Sequence, residues 1–338
     1  MALKDSINFI SKLSFKKIVN AFKVYISFKY SSFVKTPIQW GKPFNISIEP
    51  TTDCNLACPE CPSGLKSFSR NTGKMDVKLF NNFLEQTSST LIYLYFYFQG
   101  EPYLHPKFLE MVKMAKKKKI YTVSSTNAHF LTKRKAKETV ESGLDRILVS
   151  VDGTSQEIYE SYRKNGSLEK VKTGIKNLVK AKKESNSNTP HIILQFLVVK
   201  PNEHQIEEIK ILGKQLGVDK VALKTAQIYD FENGSDLIPT INKYSRYKML
   251  KNGKFAIKNK MKNQCWKLWH SNVITWDGTI TPCCFDKDAK YPMGSLNTDT
   301  LEEIWQNDKY KNFRKQILSN RQSIDICKNC SEGLKVFS

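Results

Sequence analysis

An α/β fold is what this sequence predicts: a parallel sheet or partial (β/α)6 barrel followed by a smaller carboxy-terminal region. Three observations carry that prediction. From Phe44 onward, short apolar runs alternate with amphipathic stretches long enough to return the chain for a parallel strand. The alternation stops after Thr225. The cysteines also divide in two, with Cys54, Cys58 and Cys61 early and Cys265, Cys283, Cys284, Cys327 and Cys330 late.

Residues 1–42 form a basic leader with eight lysines and one acidic residue, Asp5. Within it, Phe15 to Tyr30 alternates Lys with apolar residues at helical spacing. Such a stretch could lie on a membrane surface or dock on a partner, while packing under the main domain is the commoner use of an amphipathic face. Strands follow near 44–50, 91–98, 119–125, 145–151, 191–199 and 218–225. Helices are expected near 76–88, 106–118, 132–142, 168–184 and 203–216. Gly143 and Gly217 stand where the third and fifth helices should end, and Thr154 with Glu157 has capping-box spacing. The expected domains are therefore the leader, a core over 43–225, a Gly-, Asn- and Lys-bearing linker over 226–262, and a small domain over 263–338.

Composition narrows the function. The net charge is +22, yet only seven of the 54 basic residues are Arg. Base and phosphate recognition leans on the bidentate guanidinium, so nucleic acid is not the expected partner. The longest apolar run, Leu91 to Phe98, is too short to span a bilayer. With no secretory signal pattern, a cytoplasmic setting is expected, where eight cysteines serve as metal ligands or reactive thiols before disulfides.

Ligands of parallel β/α folds bind at the carboxyl ends of the strands. The polar motifs fall there. Cys54, Cys58 and Cys61 follow the first strand as C-x3-C-x2-C, Gln99-Gly100-Glu101-Pro102 the second, Thr126-Asn127 the third, and Ser150-Val151-Asp152 the fourth. Three thiolates are one short of closing a four-iron cluster, which leaves one iron open to a further ligand. A zinc site or disulfide is the alternative, but no neighbouring fourth ligand completes a tetrahedron. His105, His129 and His270 lack metal-like or triad-like spacing.

On these residues the chain resembles the radical SAM superfamily over 44–332. The resemblance implies that Cys54, Cys58 and Cys61 hold a [4Fe-4S] cluster whose open iron is chelated by S-adenosyl-L-methionine. Reductive cleavage to a 5'-deoxyadenosyl radical and hydrogen abstraction would follow. Gly100 and Glu101 match the family's G-G-E-P segment, which binds the methionyl amino group, although its first Gly is Gln99 here. Thr126 and Asn127 match a T-N-G strand end, with Ala128 in place of Gly. Ser150 and Arg163 match cosubstrate contacts of the maturase branch, and Asp152 is the candidate ribose ligand. Glu60 stands where many relatives have an aromatic residue for the adenine. An external electron donor such as flavodoxin or ferredoxin is implied, with a peptide or small-molecule substrate.

The late cysteines resemble the auxiliary-cluster region of SPASM and twitch proteins, supported by Trp276-Asp277-Gly278 and Met293-Gly294-Ser295-Leu296. The resemblance assigns Cys265, Cys283, Cys327 and Cys330 to an auxiliary [4Fe-4S] cluster, with a structural zinc site as the alternative. Cys284 remains over. A thiol there could donate a hydrogen atom to a substrate radical and is the candidate catalytic residue. It could equally be a further ligand or a small buried hydrophobe. The expectation is a radical SAM oxidoreductase or peptide-modifying enzyme, against a non-catalytic iron-sulfur or zinc-binding protein.

Overall fold

In the computed structural model, which describes residues 3–258 and 261–331, the chain forms one nine-stranded sheet and a separate hairpin. Residues 332–338, the end of the expected small domain, and 259–260 of the expected linker lie outside the described residues. The leader forms α1 (Leu3–Ile10) and α2 (Phe15–Val34). The repeats then run β1 (Asn45–Ile48), α3 (Pro62–Leu65), α4 (Val77–Thr87), β2 (Tyr93–Phe96), α5 (Phe108–Lys117), β3 (Tyr121–Thr126), α6 (Lys133–Ser142) and β4 (Arg146–Ser150). They continue with α7 (Gln156–Tyr162), α8 (Leu168–Glu184), β5 (His191–Val198), α9 (Ile206–Leu216) and β6 (Lys220–Thr225). The predicted strands and helices are all present, and the six strands pair in parallel, in sequence order.

The strand sequences explain this order. In β3 and β5 the long run of buried residues reflects cover on both faces, as parallel sheets require. Gly143 and Gly217 adopt φ near +73° and cap α6 and α9, as predicted. The predicted capping box does not form. Ser155, one residue on, caps the unpredicted α7, while Thr154 bonds Gln205 and Glu208 of the next repeat.

The rest of the chain is more integrated than the sequence implies. After the hairpin β7 (Tyr247–Met249) and β8 (Phe255–Ile257) come α10 (Lys267–His270), β9 (Ser271–Ile274), β10 (Thr279–Thr281), β11 (Gly294–Ser295), α11 (Leu301–Gln306), α12 (Asp308–Asn320) and α13 (Asp325–Lys328). Strand β9 pairs parallel to β1, and β10 and β11 extend the same sheet antiparallel, so the carboxy-terminal region continues the main sheet. The segment expected as a linker buries Ile228, Phe231, Ile238 and Tyr247 against Leu56 and Cys58. Low sequence regularity hid that packing.

The leader packs beneath the strands. Asp5 on α1 is buried and accepts bonds from Tyr121 and Arg146, the first residues of β3 and β4. Lys17 is also buried. Its ammonium bonds the carbonyls of Lys12 (3.1 Å) and Lys119 (2.6 Å), and burial lowers its pKa to about 8.

Candidate active site

The loop after β1 is shaped by backbone bonds to its neighbours. Thr52 donates to the Gly73 carbonyl at 3.0 Å, and Ala57 to that of Lys164 at 3.0 Å. Cys61 caps α3, where Pro62 supplies the first helical residue. A Cβ on Gly64 would sit 2.7 Å from the Cys58 nitrogen, so α3 closes tightly on the cysteine loop.

The second motif is fastened to the first. Gly100 has φ +73°, and a Cβ there would lie 2.1 Å from the Thr51 carbonyl oxygen; only Gly fits. Its N–H donates to Ser63 Oγ at 2.9 Å, and the Glu101 N–H donates to the Asp53 carbonyl at 2.7 Å.

Glu101 then reaches the end of β3. Its carboxylate accepts from Thr126 Oγ1 at 2.8 Å, the Asn127 N–H at 2.7 Å and the Tyr103 N–H at 3.2 Å. Burial raises its pKa to about 7 in spite of those three bonds. Asn127 turns its amide to Asn55 (2.8 Å) and toward Cys54 Sγ (4.0 Å).

Arg163 closes the site from the end of α7. Its Nε donates to Asp152 at 2.5 Å and its Nη1 approaches Cys58 Sγ at 3.7 Å. The other Asp152 oxygen accepts the Leu197 N–H at 2.7 Å. Asp152 is thus fully engaged in holding Arg163 and β5.

One cavity of about 140 Å³ gathers Cys54, Cys58, Cys61, Gly100, Glu101, Thr126, Asn127, Ser150 and Arg163. Of the first group of expected site residues, Asp152 alone does not line it. Each thiol has a polar side chain beside it: Asn127 for Cys54, Arg163 for Cys58, and Gln99 at 3.8 Å for Cys61. Burial pushes the Cys54 thiol up to about 12 and raises that of Cys58, which Arg163 opposes. Metal loading must therefore displace protons. Among the described residues no three His, Cys, Asp or Glu converge to hold a single ion. Thiols lining a shared cavity suit a cluster, whose ligands bind separate irons.

Three of the late cysteines, Cys265, Cys327 and Cys330, face Arg321, which sequence reasoning missed. Its Nη2 donates to Cys330 Sγ at 3.3 Å, its Nη1 to the Gln264 carbonyl at 2.8 Å, and its charge faces Cys265 and Cys327. Burial pushes the Cys327 thiol up to about 12. The Cys283 thiol is raised by its bond to Cys284, then by burial, and it feels Cys330 as well. Three thiols, those of Cys265, Cys327 and Cys330, face one guanidinium, whose charge offsets their mutual repulsion, and Cys283 adjoins them through Cys330. Cys284 lies within electrostatic reach of Tyr97, which lines the first cavity, and of Lys287, which also faces Cys61. A scarcity signal could have pointed to Arg321. Six of the seven arginines are engaged inside the protein, and Arg134 alone is a surface residue.

Family models match the spans that hold the two cysteine groups. The Radical SAM superfamily model matches residues 48–212, and the SPASM iron-sulfur cluster-binding domain matches 265–331. The chain is 29% identical over 314 residues to the tungsten-containing aldehyde ferredoxin oxidoreductase cofactor-modifying protein of Pyrococcus furiosus, covering 84% of this chain and 86% of that one. It is 25% identical over 291 residues to the S-adenosyl-L-methionine-dependent 2-deoxy-scyllo-inosamine dehydrogenase of Niallia circulans, covering 85% and 92%. Its fold resembles that of SuiB from Streptococcus suis bound to S-adenosylmethionine, with TM-score 0.60 at 15% identity, covering 87% of this chain and 73% of that one. The SuiB complex with its precursor peptide SuiA gives TM-score 0.58 at 15% identity, covering 87% and 72%.

Proposed function

The chain belongs to the radical SAM superfamily and ends in a SPASM-type iron-sulfur domain, and from that premise we propose that Cys54, Cys58 and Cys61 hold the S-adenosylmethionine-binding [4Fe-4S] cluster. When bound, the cluster supplies the electron that cleaves S-adenosylmethionine to a 5'-deoxyadenosyl radical, which takes a hydrogen from a peptide or small-molecule substrate. One observation carries this reading: nine of the expected residues, eight from four consecutive strand ends and Arg163 from the end of α7, line a single cavity.

The chain's own groups then have distinct tasks. Glu101 is the acceptor for an ammonium, with Thr126 and Asn127 fixing its carboxylate. Arg163 meets a carboxylate, and Asp152 keeps its guanidinium aimed. Ser150 contributes a hydroxyl to the same wall. Cys265, Cys283, Cys327 and Cys330 hold the auxiliary cluster, with Arg321 balancing their charge. A second cavity, of about 480 Å³ and lined in part by Leu65, Tyr229, Phe285, Lys287 and Asn329, lies beside α3 and is the entry for substrate. Cys284, within electrostatic reach of Tyr97 and Lys287, is the hydrogen-atom donor to the substrate radical.

The test is anaerobic. Protein loaded with iron and sulfide and reduced with dithionite should release 5'-deoxyadenosine from S-adenosylmethionine, and C58A should release none. Absence of cleavage by the loaded wild-type protein would favour a non-catalytic metal-binding protein.

A further inference from the structure

Eleven of the 17 large apolar side chains that stand exposed on the described residues lie in the leader. On α2 they form a continuous stripe of Phe15, Ile18, Phe22, Tyr25, Ile26, Tyr30 and Phe33, spaced three and four residues apart. Phe15 and Phe33, at its two ends, are 83% and 84% exposed. The opposite face is turned into the protein and carries mostly polar or small groups: Lys17, Asn20, Val24, Ser27, Phe28 and Ser31. Those polar groups are satisfied there. Asn20 exchanges two bonds with the backbone of Lys42, each of 2.9 Å, and Ser31 bonds the backbone of Ile38 at 2.9 and 3.0 Å.

The helix is thus inverted relative to an ordinary surface helix; Tyr25 stands edge-on to Trp266 and Tyr30 stacks on Trp40, yet the stripe as a whole stays exposed. A stripe of this extent on a soluble chain marks an interaction surface. Charge identifies the partner. Lys4, Lys16, Lys23, Lys29 and Lys35 are exposed around the stripe, and the leader's one acidic residue, Asp5, is buried and paired with Arg146. A second copy would bring the same lysines against these, in a chain of net charge +22. Protein interfaces are also depleted in Lys. Aromatic and aliphatic groups flanked by lysines, with Tyr25, Tyr30 and Trp40 at the edge, suit the boundary between acyl chains and anionic headgroups.

We infer that α2 lies in the surface of an anionic lipid bilayer, apolar face down, and docks the enzyme there. No helix of the described residues is long and apolar enough to cross a membrane, so the contact is in-plane. The leader binds the amino-terminal ends of β3 and β4, whereas the thiol cavity is at their carboxyl ends, about 20 Å away along a six-residue strand. Docking therefore leaves the cavity open.

Flotation of the full chain with vesicles tests this. Binding is expected to vesicles of mixed phosphatidylglycerol and phosphatidylcholine, weakly if at all to phosphatidylcholine alone, and to fall as salt is raised. K16Q with K23Q should lower affinity roughly fivefold per lysine, and F22S with F33S should abolish retention while the melting temperature holds. Failure to float with anionic vesicles at low salt overturns the inference. So does a dimer in sedimentation velocity that F22S with F33S dissociates, since the stripe would then be a self-association face.

Discussion

Glu101 shows how burial and hydrogen bonding compete in one carboxyl group. Three donors favour the ionised form, yet burial leaves the pKa near 7. The neutral form therefore gains below that value, while an ammonium ligand requires the charged form. Affinity for S-adenosylmethionine, measured by calorimetry on the loaded protein, should fall about tenfold per pH unit below about 7. E101Q should flatten that profile at the weak end. Asp152 acts through Arg163, so D152N should weaken binding about tenfold, as loss of a supporting contact commonly does. Ala128 holds φ +63° at a position where the related pattern has Gly. The αL strain of about 1 kcal/mol is close to the value of its buried methyl, so A128G should leave thermal stability within about 1 kcal/mol of wild type.

At the scale of elements, the cysteine loop is braced from below by a buried pair that the sequence did not advertise. Glu49, next to β1, is fully buried and takes two bonds from Arg70, at 2.6 and 2.9 Å. It also accepts the Trp276 N–H at 3.3 Å, tying the β9–β10 turn to the same point. Burial still raises the Glu49 pKa over the effect of Arg70. R70A leaves that carboxylate uncompensated and should cost about 3 kcal/mol at neutral pH by chemical denaturation. The penalty should shrink in acid, where Glu49 takes up a proton without loss of a partner.

The strands, helices and cavity motifs were legible because apolar periodicity and strand-end position are written locally. Residues 226–262 were not, because Tyr247 owes its role to Ile228 and Asn329, which bond its hydroxyl at 2.9 and 2.8 Å, the second from a distant part of the chain. Asp152 looked like a ligand for the same reason: its pairing with Arg163 depends on how α7 folds back.

Over the whole molecule, one sheet carries both thiol groups. Strand β9 pairs beside β1, and Tyr247 links the segment packed on Cys58 to the Cys327–Cys330 turn through Asn329. The two proposed clusters are therefore held in one framework, the first with three protein thiols and the second with four. That difference in ligand count is the centre of the account. It is tested most directly by electron paramagnetic resonance of a reduced C327A/C330A variant, loaded anaerobically and titrated with S-adenosylmethionine. About four irons per chain are expected, with a spectrum that S-adenosylmethionine alters, since the remaining cluster has an open iron. A four-iron spectrum indifferent to S-adenosylmethionine, or loss of all iron with those two cysteines, would contradict it.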